Sequence, residues 1–591
     1  MDTDKHAVII DCLAERAAEC PDHPAFVRRV DGGWQTVSTW EFADRVAALA
    51  AGLVAVGIAS GDRVAIMSGT SYEWVLCDFA IWTAGAVSVP IYETSPPARV
   101  AWLLEDSDAT AVFVADERLR AVVAAAGAPA VRHVWRMTEP DLDTLVYHGS
   151  AVRTDELGRR RRAMSSEQPA SIVYTSGTTG TPRGCVLTHA NLLAEVDAVT
   201  RADGIAGRVL TDHDVVLLFL PLAHVLTRIV QLAVLRIGAL TVHTDDLANL
   251  PAWLADVRPT VLLAVPRVFE KVHAAAARAA ADQGHRRLFA VAERAAVAYS
   301  RALDGVGPGA VEWAWHKVFD RLVYRKVRAA LGGRVRYAVS GGAPLADRLA
   351  HFFRGAGVTV LEGWGLTETT AAVTLNLPDA NRIGTVGRPL PGCEVRIGGD
   401  GEVLVRGPTV FAGYWRDDRA TQEAVDQDGW FHTGDLGALD EDGYLRITGR
   451  QKDIIVTAGG KNVAPAPLEH RVRAHWLVDE CVVVGDNRPY VAALITLDAT
   501  AFTAWKRDHG VPVGTTVAAL RADAELRAAV RDAIDAVNQD VSRAEAIRRF
   551  TILDADFAVG DELTPTEKVR RAHVLAKFAD DVAALYQRPA D

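Results

Sequence analysis

Through the first 450 residues, short β-branched runs at 112–114, 215–220 and 261–265 alternate with alanine- and leucine-rich stretches whose apolar positions recur at helical spacing. That alternation predicts an α/β fold. Between 268 and 331 the pattern changes. Alanine and arginine dominate, the helical period persists, and only Gly305-Val306-Gly307-Pro308-Gly309 interrupts it, so a helical hairpin inserted into the α/β chain is expected. From 384 to 443, glycines and prolines separate short strand-like runs, as in a small antiparallel sheet or barrel-like subdomain. After Arg450 the pattern restarts with strands at 453–456, 481–484 and 490–497 and helices at 467–475 and 524–538, which predicts a smaller α+β domain. No low-complexity linker or internal repeat separates the two parts. A short hinge at Arg450-Gln451-Lys452-Asp453 is therefore expected, between a large N-terminal domain (1–451) and a mobile C-terminal domain (452–591).

At 591 residues the chain exceeds one ordinary core and matches about four units of common domain size, or fewer larger ones. Apolar residues make up 49% and charged residues 24%, the balance of a soluble globular protein. The formal net charge of −11 supplies no basic field for nucleic acid, so any nucleotide must be met by local donors. The six cysteines (Cys12, Cys20, Cys77, Cys185, Cys393, Cys481) form no CxxC pair, which points to a reduced chain without structural zinc. The N-terminus lacks the charged-then-apolar order of a signal peptide. The longest apolar run, 215–225, is interrupted by Pro221 and His224 and falls short of the roughly 20 residues that span a bilayer. A cytoplasmic setting is expected.

The sharpest chemical signal is Tyr174-Thr175-Ser176-Gly177-Thr178-Thr179-Gly180-Thr181-Pro182-Arg183-Gly184, which follows the strand-like Ser171-Ile172-Val173. Glycines let backbone N–H groups converge on an anion, the hydroxyls of Thr175, Ser176, Thr178 and Thr179 add donors, and Arg183 brings charge. Thr188, just downstream, is a plausible helix N-cap whose helix dipole would help hold phosphate. The loop is not a GxxxxGK[ST] sequence, so a P-loop motor or GTPase is excluded.

This segment resembles the signature loop of the ANL superfamily: adenylate-forming acyl-CoA synthetases, peptide-synthetase adenylation domains and luciferases. Further motifs follow in the family's order. Leu220-Pro221-Leu222-Ala223-His224 resembles the motif whose aromatic or histidine member gates the path to the acyl carboxylate, which implies that role for His224. Ser340-Gly341-Gly342-Ala343-Pro344 and Glu362-Gly363-Trp364-Gly365-Leu366-Thr367-Glu368 resemble the adenine-side segments. Backbone at Gly342 and Ala343 can approach the base, and Glu362, Gly363 and Trp364 complete that wall, with the indole offering a stacking face. The resemblance gives Thr367 a phosphate contact and Glu368 a hold on Mg²⁺. Trp430-Phe431-His432-Thr433-Gly434-Asp435 and Tyr444 to Arg450 resemble the ribose clamp, Asp435 accepting from the vicinal hydroxyls beside Arg450.

Lys452 falls where the family places its hinge, and Lys568, in Leu563-Thr564-Pro565-Thr566-Glu567-Lys568, resembles the lysine bridging carboxylate and α-phosphate. Gly459, Gly460 and Lys461 resemble the family's route for coenzyme A. The helical insertion and the phrases starting at Val265 and Thr457 are similar to long-chain fatty acyl-CoA synthetases. The likeness spans nearly the whole chain. It implies ATP, Mg²⁺ and coenzyme A as cofactors and a long-chain or bulky apolar carboxylic acid as substrate.

The clearest departure from the family is Arg183, which stands where lysine is usual. Arginine keeps the charge but presents a planar fork, so a thioesterifying enzyme fed acyl-AMP by a partner ligase stays open, and so, separately, does an acyl-AMP ligase that loads a carrier protein in trans. A third, an idle acyl-AMP-binding protein, sits poorly with Glu368, Asp435, Arg450 and Lys568 all present. A peripheral membrane contact through the helical hairpin is also left open.

Overall fold

The β-branched runs of the N-terminal part become strands of two large, mainly parallel sheets, the arrangement in which strands are buried on both faces. The computed structural model describes residues 7–30, 32–153, 155–175, 182–201, 205–564 and 567–587. The chain divides into two compact units. One comprises Met1–Arg396, Leu404–Thr433 and Asp440–Leu445, the other Ile397–Val403, Gly434–Leu439 and Arg446–Asp591.

In the first unit, a seven-stranded sheet carries β1 (Pro169–Thr175) and β2 (Arg183–Thr188) as an antiparallel hairpin, with Thr175 opposite Arg183. The hairpin continues a parallel set in which Val87–Ile91, Arg63–Met67, Ala109–Val114 and His133–Arg136 are neighbours. Helix α1 (His189–Arg201) follows at once. The Thr188 hydroxyl accepts from the Asn191 N–H at 3.1 Å, the N-cap expected from the sequence.

The nine-stranded sheet contains β3 (Val215–Leu218), Val261–Ala264, β4 (Tyr337–Ser340) and β5 (Thr359–Trp364), all parallel. Helix α2 (Val225–Ile237) leaves the end of β3 and packs its apolar face into the core. Phe26, Phe42, Phe79 and Trp82 are fully buried there, each contributing about 1.5–3 kcal/mol. The Arg228 guanidinium of α2 is also buried, paired with Asp78 at 2.5 Å and lying over Trp74 and Trp82. Removing either charge would strand the other in an apolar wall.

The inserted segment holds more than the expected hairpin. Helices α3 (Pro266–Asp282), α4 (Arg286–Leu303) and α5 (Ala310–Phe319) are followed by a π-helical turn, Asp320–Tyr324, and α6 (Arg325–Ala330). Alanine tolerates either continuation or a break, and Gly284, at φ +75°, supplies the break between α3 and α4. The glycine-rich stretch forms short strands, among them a four-stranded sheet of Glu394–Ile397, Glu402–Arg406, Phe431–Leu439 and Leu445–Arg450.

The second unit is built on Val478–Val484, Val491–Leu497 and Ile547–Ile552. Alternation along the strands divides its core. Val483 and Ile495 pack with α7 (Pro465–Arg473) and α8 (Ala524–Asn538), while Val482 and Leu494 pack with the last helices through Val574 and Leu585. Among the described residues, no helix is long and apolar enough to cross a membrane.

Candidate active site

Strands β1 and β2 flank the glycine-rich loop that is expected to meet phosphate. Ser176, Gly177, Thr178, Thr179 and Gly180 lie outside the described residues, but both ends of the loop are placed. Arg183 lies with its guanidinium carbon 5.3 Å from the Tyr414 ring centroid and its Nε 3.9 Å from Asp417 Oδ2. The Tyr414 hydroxyl donates to Glu368 Oε1 at 3.0 Å. Tyr414 reaches this position because the short strand Gly413–Tyr414 pairs with β2, Tyr414 opposite Cys185. Burial and the neighbouring Glu368 raise the Tyr414 phenol far above its ordinary pKa, so it stays a donor. Cys185 is buried beside Thr175 and Glu368, and burial likewise keeps its thiol protonated. A cation and a carboxylate are thus linked through one aromatic ring.

Strained backbone holds the segment carrying Thr367 and Glu368. Thr370 and Ala371 adopt φ of +61° and +133°, unusual for residues with side chains. A Cβ on Gly365 would lie 1.6 Å from the Ala371 carbonyl oxygen, so only glycine fits. The Ala372 N–H donates to the buried Glu195 of α1 at 2.8 Å, and the Thr370 hydroxyl donates to the Thr409 carbonyl at 2.6 Å. Burial raises the Glu195 pKa well above the carboxylate range, so the residue holds this backbone in its neutral form.

Of the adenine-side residues, Gly342 (φ +82°) and Ala343 are exposed, while Gly363, Trp364 and Thr367 are half-buried, Trp364 against the core next to Leu361. Glu362 is buried, and its Oε2 accepts the Leu345 N–H at 3.1 Å. It therefore ties the glycine segment at the end of β4 to β5. Half-buried His224 precedes α2, and its Nδ1 accepts the Leu226 N–H at 3.2 Å. That bond fixes the neutral tautomer with the proton on Nε2.

Within the second unit, Asp435, Arg450 and Lys568 come together. Asp435 is buried, with Arg450 Nε 2.8 Å from its Oδ1. Gly434 adopts φ +69° and donates its N–H to the buried Glu402 at 2.8 Å, which fixes the turn presenting Asp435. Lys568 keeps an open side, yet surrounding protein and the Arg450 charge lower its pKa to about 8, against the pull of Asp435. Its N–H donates to the Thr564 hydroxyl at 3.0 Å, and three residues on, Arg571 bonds the Val483 carbonyl at 2.8 Å and pairs with Glu469. Lys452 is exposed. Gly459, Gly460 and Lys461 form an exposed turn closed by the Lys461 N–H on the Thr457 hydroxyl at 3.2 Å, with Gly460 at φ +72°.

Tyr414, Asp417, Glu195 and Glu402 were not legible as site residues. Tyr414 is 46 positions from Glu368, and a lone Gly-Tyr pair carries no local signal for that contact.

The family described as AMP-binding enzyme matches residues 13–415, and the AMP-binding enzyme C-terminal domain matches 452–590. The chain is 48% identical to a long-chain-fatty-acid–CoA ligase, FadD15, from Mycobacterium bovis, over 99% of this chain and 98% of that one. It is 32% identical to the peroxisomal long chain acyl-CoA synthetase 6 of Arabidopsis thaliana, over 87% of this chain and 76% of the relative. Among solved structures, an anthranilate CoA ligase, AuaEII, in complex with anthranoyl-AMP, superposes with a TM-score of 0.74 over 99% of each chain at 19% identity, a likeness of fold. The motifs, the fold and the full-length match agree: this chain belongs to the AMP-binding enzymes of the ANL superfamily and is an AMP-forming acid–thiol ligase.

Proposed function

We propose that the chain is an ATP-dependent long-chain fatty acyl-CoA ligase. It joins a fatty acid to AMP with loss of pyrophosphate, then passes the acyl group to coenzyme A with loss of AMP. The convergence of Lys568 on the Asp435–Arg450 pair carries the adenylating half of this reading. The full-length likeness to a ligase named for long-chain fatty acids supports the choice of acid.

In adenylation the fatty carboxylate attacks the α-phosphorus. Both reactants are anions, so the protein's task is to neutralise and align them. Asp435 accepts from the ribose hydroxyls beside Arg450, Lys568 bridges carboxylate and α-phosphate, and Arg183 with Thr367 takes the phosphate charge. Gly342, Ala343 and Trp364 receive the base, and His224 borders the acyl entrance. Among the described residues no cluster of three or more His, Cys, Asp or Glu is arranged to hold a metal. Glu368 would hold Mg²⁺, which would supply charge neutralisation at the phosphates when bound.

In the second step the coenzyme A thiol attacks the acyl carbon, and Gly459, Gly460 and Lys461 line its route after a rotation about Lys452. A cytoplasmic setting fits the six free cysteines. Incubating the purified protein with ATP, Mg²⁺ and fatty acids of graded length tests this, with pyrophosphate exchange and acyl-CoA both measured. Both are expected, strongest for long chains. Exchange without thioester would instead favour a carrier protein, and thioester from supplied acyl-AMP alone would sink adenylation.

A further inference from the structure

The turn that carries His224 is held from outside its own sheet. Between β3 and α2 the chain runs Leu220-Pro221-Leu222-Ala223-His224, and Pro221 has no N–H with which to brace it. Inside the turn the Pro221 carbonyl accepts the His224 N–H at 3.0 Å. On either side of that proline the backbone turns to Thr70, which follows the strand Arg63–Met67 of the seven-stranded sheet. The Thr70 hydroxyl donates to the Leu220 carbonyl at 2.7 Å and accepts the Leu222 N–H at 3.2 Å. Thr70 is only 3% exposed, so both bonds lie in a low dielectric, away from competing water. A hydroxyl can give one hydrogen bond and take another at a single point, and valine of the same shape can do neither.

The same stretch of chain grips the far side of His224. Ser71 caps the helix Tyr72–Thr83 by accepting the Trp74 N–H at 3.1 Å, and that helix carries the buried Asp78. Asp78 accepts from Arg228 Nε at 2.8 Å, and Arg228 stands one helical turn after His224, its N–H donating to the His224 carbonyl at 3.3 Å. The guanidinium reaches on to the Ser171 hydroxyl of β1 at 2.6 Å. His224 is therefore anchored before and after by one neighbouring element, through a hydroxyl at Thr70 and a charge pair at Asp78. The adenine-side segments have ties of their own, Glu362 on Leu345 and Glu195 on Ala372.

We propose that Thr70 is a positioning residue for the acid: by clamping the Leu220–Leu222 turn it sets where His224 stands at the acyl entrance, and the nucleotide side of the site does not depend on it. This rests on the role given to His224 above.

The test is pyrophosphate exchange by the full chain with palmitate, ATP and Mg²⁺, each KM measured separately. Displacing a binding group by a fraction of an ångström to 1 Å is costly, so Thr70→Val should raise the KM for palmitate about tenfold and move the KM for ATP less than about twofold. Thr70→Ser keeps the hydroxyl and should return the palmitate KM to within about twofold of wild type. His224→Ala should weaken use of palmitate by itself, and adding Thr70→Val to it should cost little more, because the threonine acts through the histidine. Thr70→Cys, whose thiol donates and accepts weakly, should fall between valine and serine and serves where valine costs too much stability. A Thr70→Val chain with a lower melting temperature but both KM values unmoved, or moved together, would make the residue structural only and overturn the proposal. So would Thr70→Val and His224→Ala effects that add in full. His224→Ala leaving palmitate kinetics unchanged would instead sink the role given to His224, and the proposal with it.

Discussion

Replacing Glu362 by Gln isolates the cost of a buried carboxyl beside the adenine-side segments. The side chain is buried and accepts one backbone N–H, from Leu345. Burial pushes its pKa up from 4.5 to about 8, with Asp347 adding to the rise and the Leu345 bond opposing it. The folded chain therefore keeps a proton that the unfolded chain has released over that window. Because the unfolded state then binds fewer protons, stability falls as pH rises from about 4.5 through about 8. That rise corresponds to about 5 kcal/mol at most, fully felt above pH 8. Glutamine keeps an oxygen for the Leu345 N–H and cannot ionise.

Melting curves of wild type and Glu362→Gln across pH 5 to 9 (roughly the window of the shift) should converge at the acid end and separate at the alkaline end, the variant being the more stable. Parallel curves, or a variant less stable in alkali, would refute the argument. Because Glu362 grips Leu345, the KM for ATP should move less than about threefold. A much larger rise would mean that the carboxyl itself touches the nucleotide.

Lys568→Ala should slow pyrophosphate exchange by roughly 10²–10³-fold while sparing thioester formation from supplied acyl-AMP. With its pKa lowered to about 8, the wild-type ammonium is lost as pH rises through that value, so adenylation should show a falling alkaline limb that the thioester step lacks. Arg183→Lys retains charge but gives up the flat contact with Tyr414, and exchange should fall by about tenfold, against about 10²–10³-fold for Arg183→Ala. Tyr414→Phe deletes the hydroxyl that bonds Glu368 and should raise the Mg²⁺ concentration giving half-maximal exchange, leaving chain-length preference unchanged. Gly365→Ala drives a methyl into the Ala371 carbonyl, and a loss of about 3 kcal/mol or more should appear in denaturant titration.

What the sequence made legible was local. Helix α8 runs over 524–538 as its periodicity predicts, because Asp523 caps it through the N–H groups of Glu525 and Leu526. The α/β order of the first unit follows from the apolar runs alternating with helical stretches. Contacts set by chain topology left no trace in any window: Tyr414 on Glu368, Glu402 on Gly434, Glu195 on Ala372. The third helix of the insertion was hidden for another reason. Alanine-rich sequence has one helical period whether it runs straight or folds back.

Arginine at position 183 is the sequence's clearest departure from the family, and the geometry around it bears on whether adenylation survives. A lysine ammonium needs only a nearby anion, whereas a guanidinium gains from a flat partner and a fixed acceptor. Tyr414 supplies the first, and Asp417 adds a nearby carboxylate, 3.9 Å from Nε. The tyrosine that seats the arginine also donates to Glu368, so the side chains proposed here for the phosphate and for the metal are positioned by one residue anchored to β2 through strand pairing. A chain that only thioesterified supplied acyl-AMP would need neither the seated cation nor the carboxylate. Arg183 is therefore better understood as a replacement with its own support than as the remnant of a lost first step.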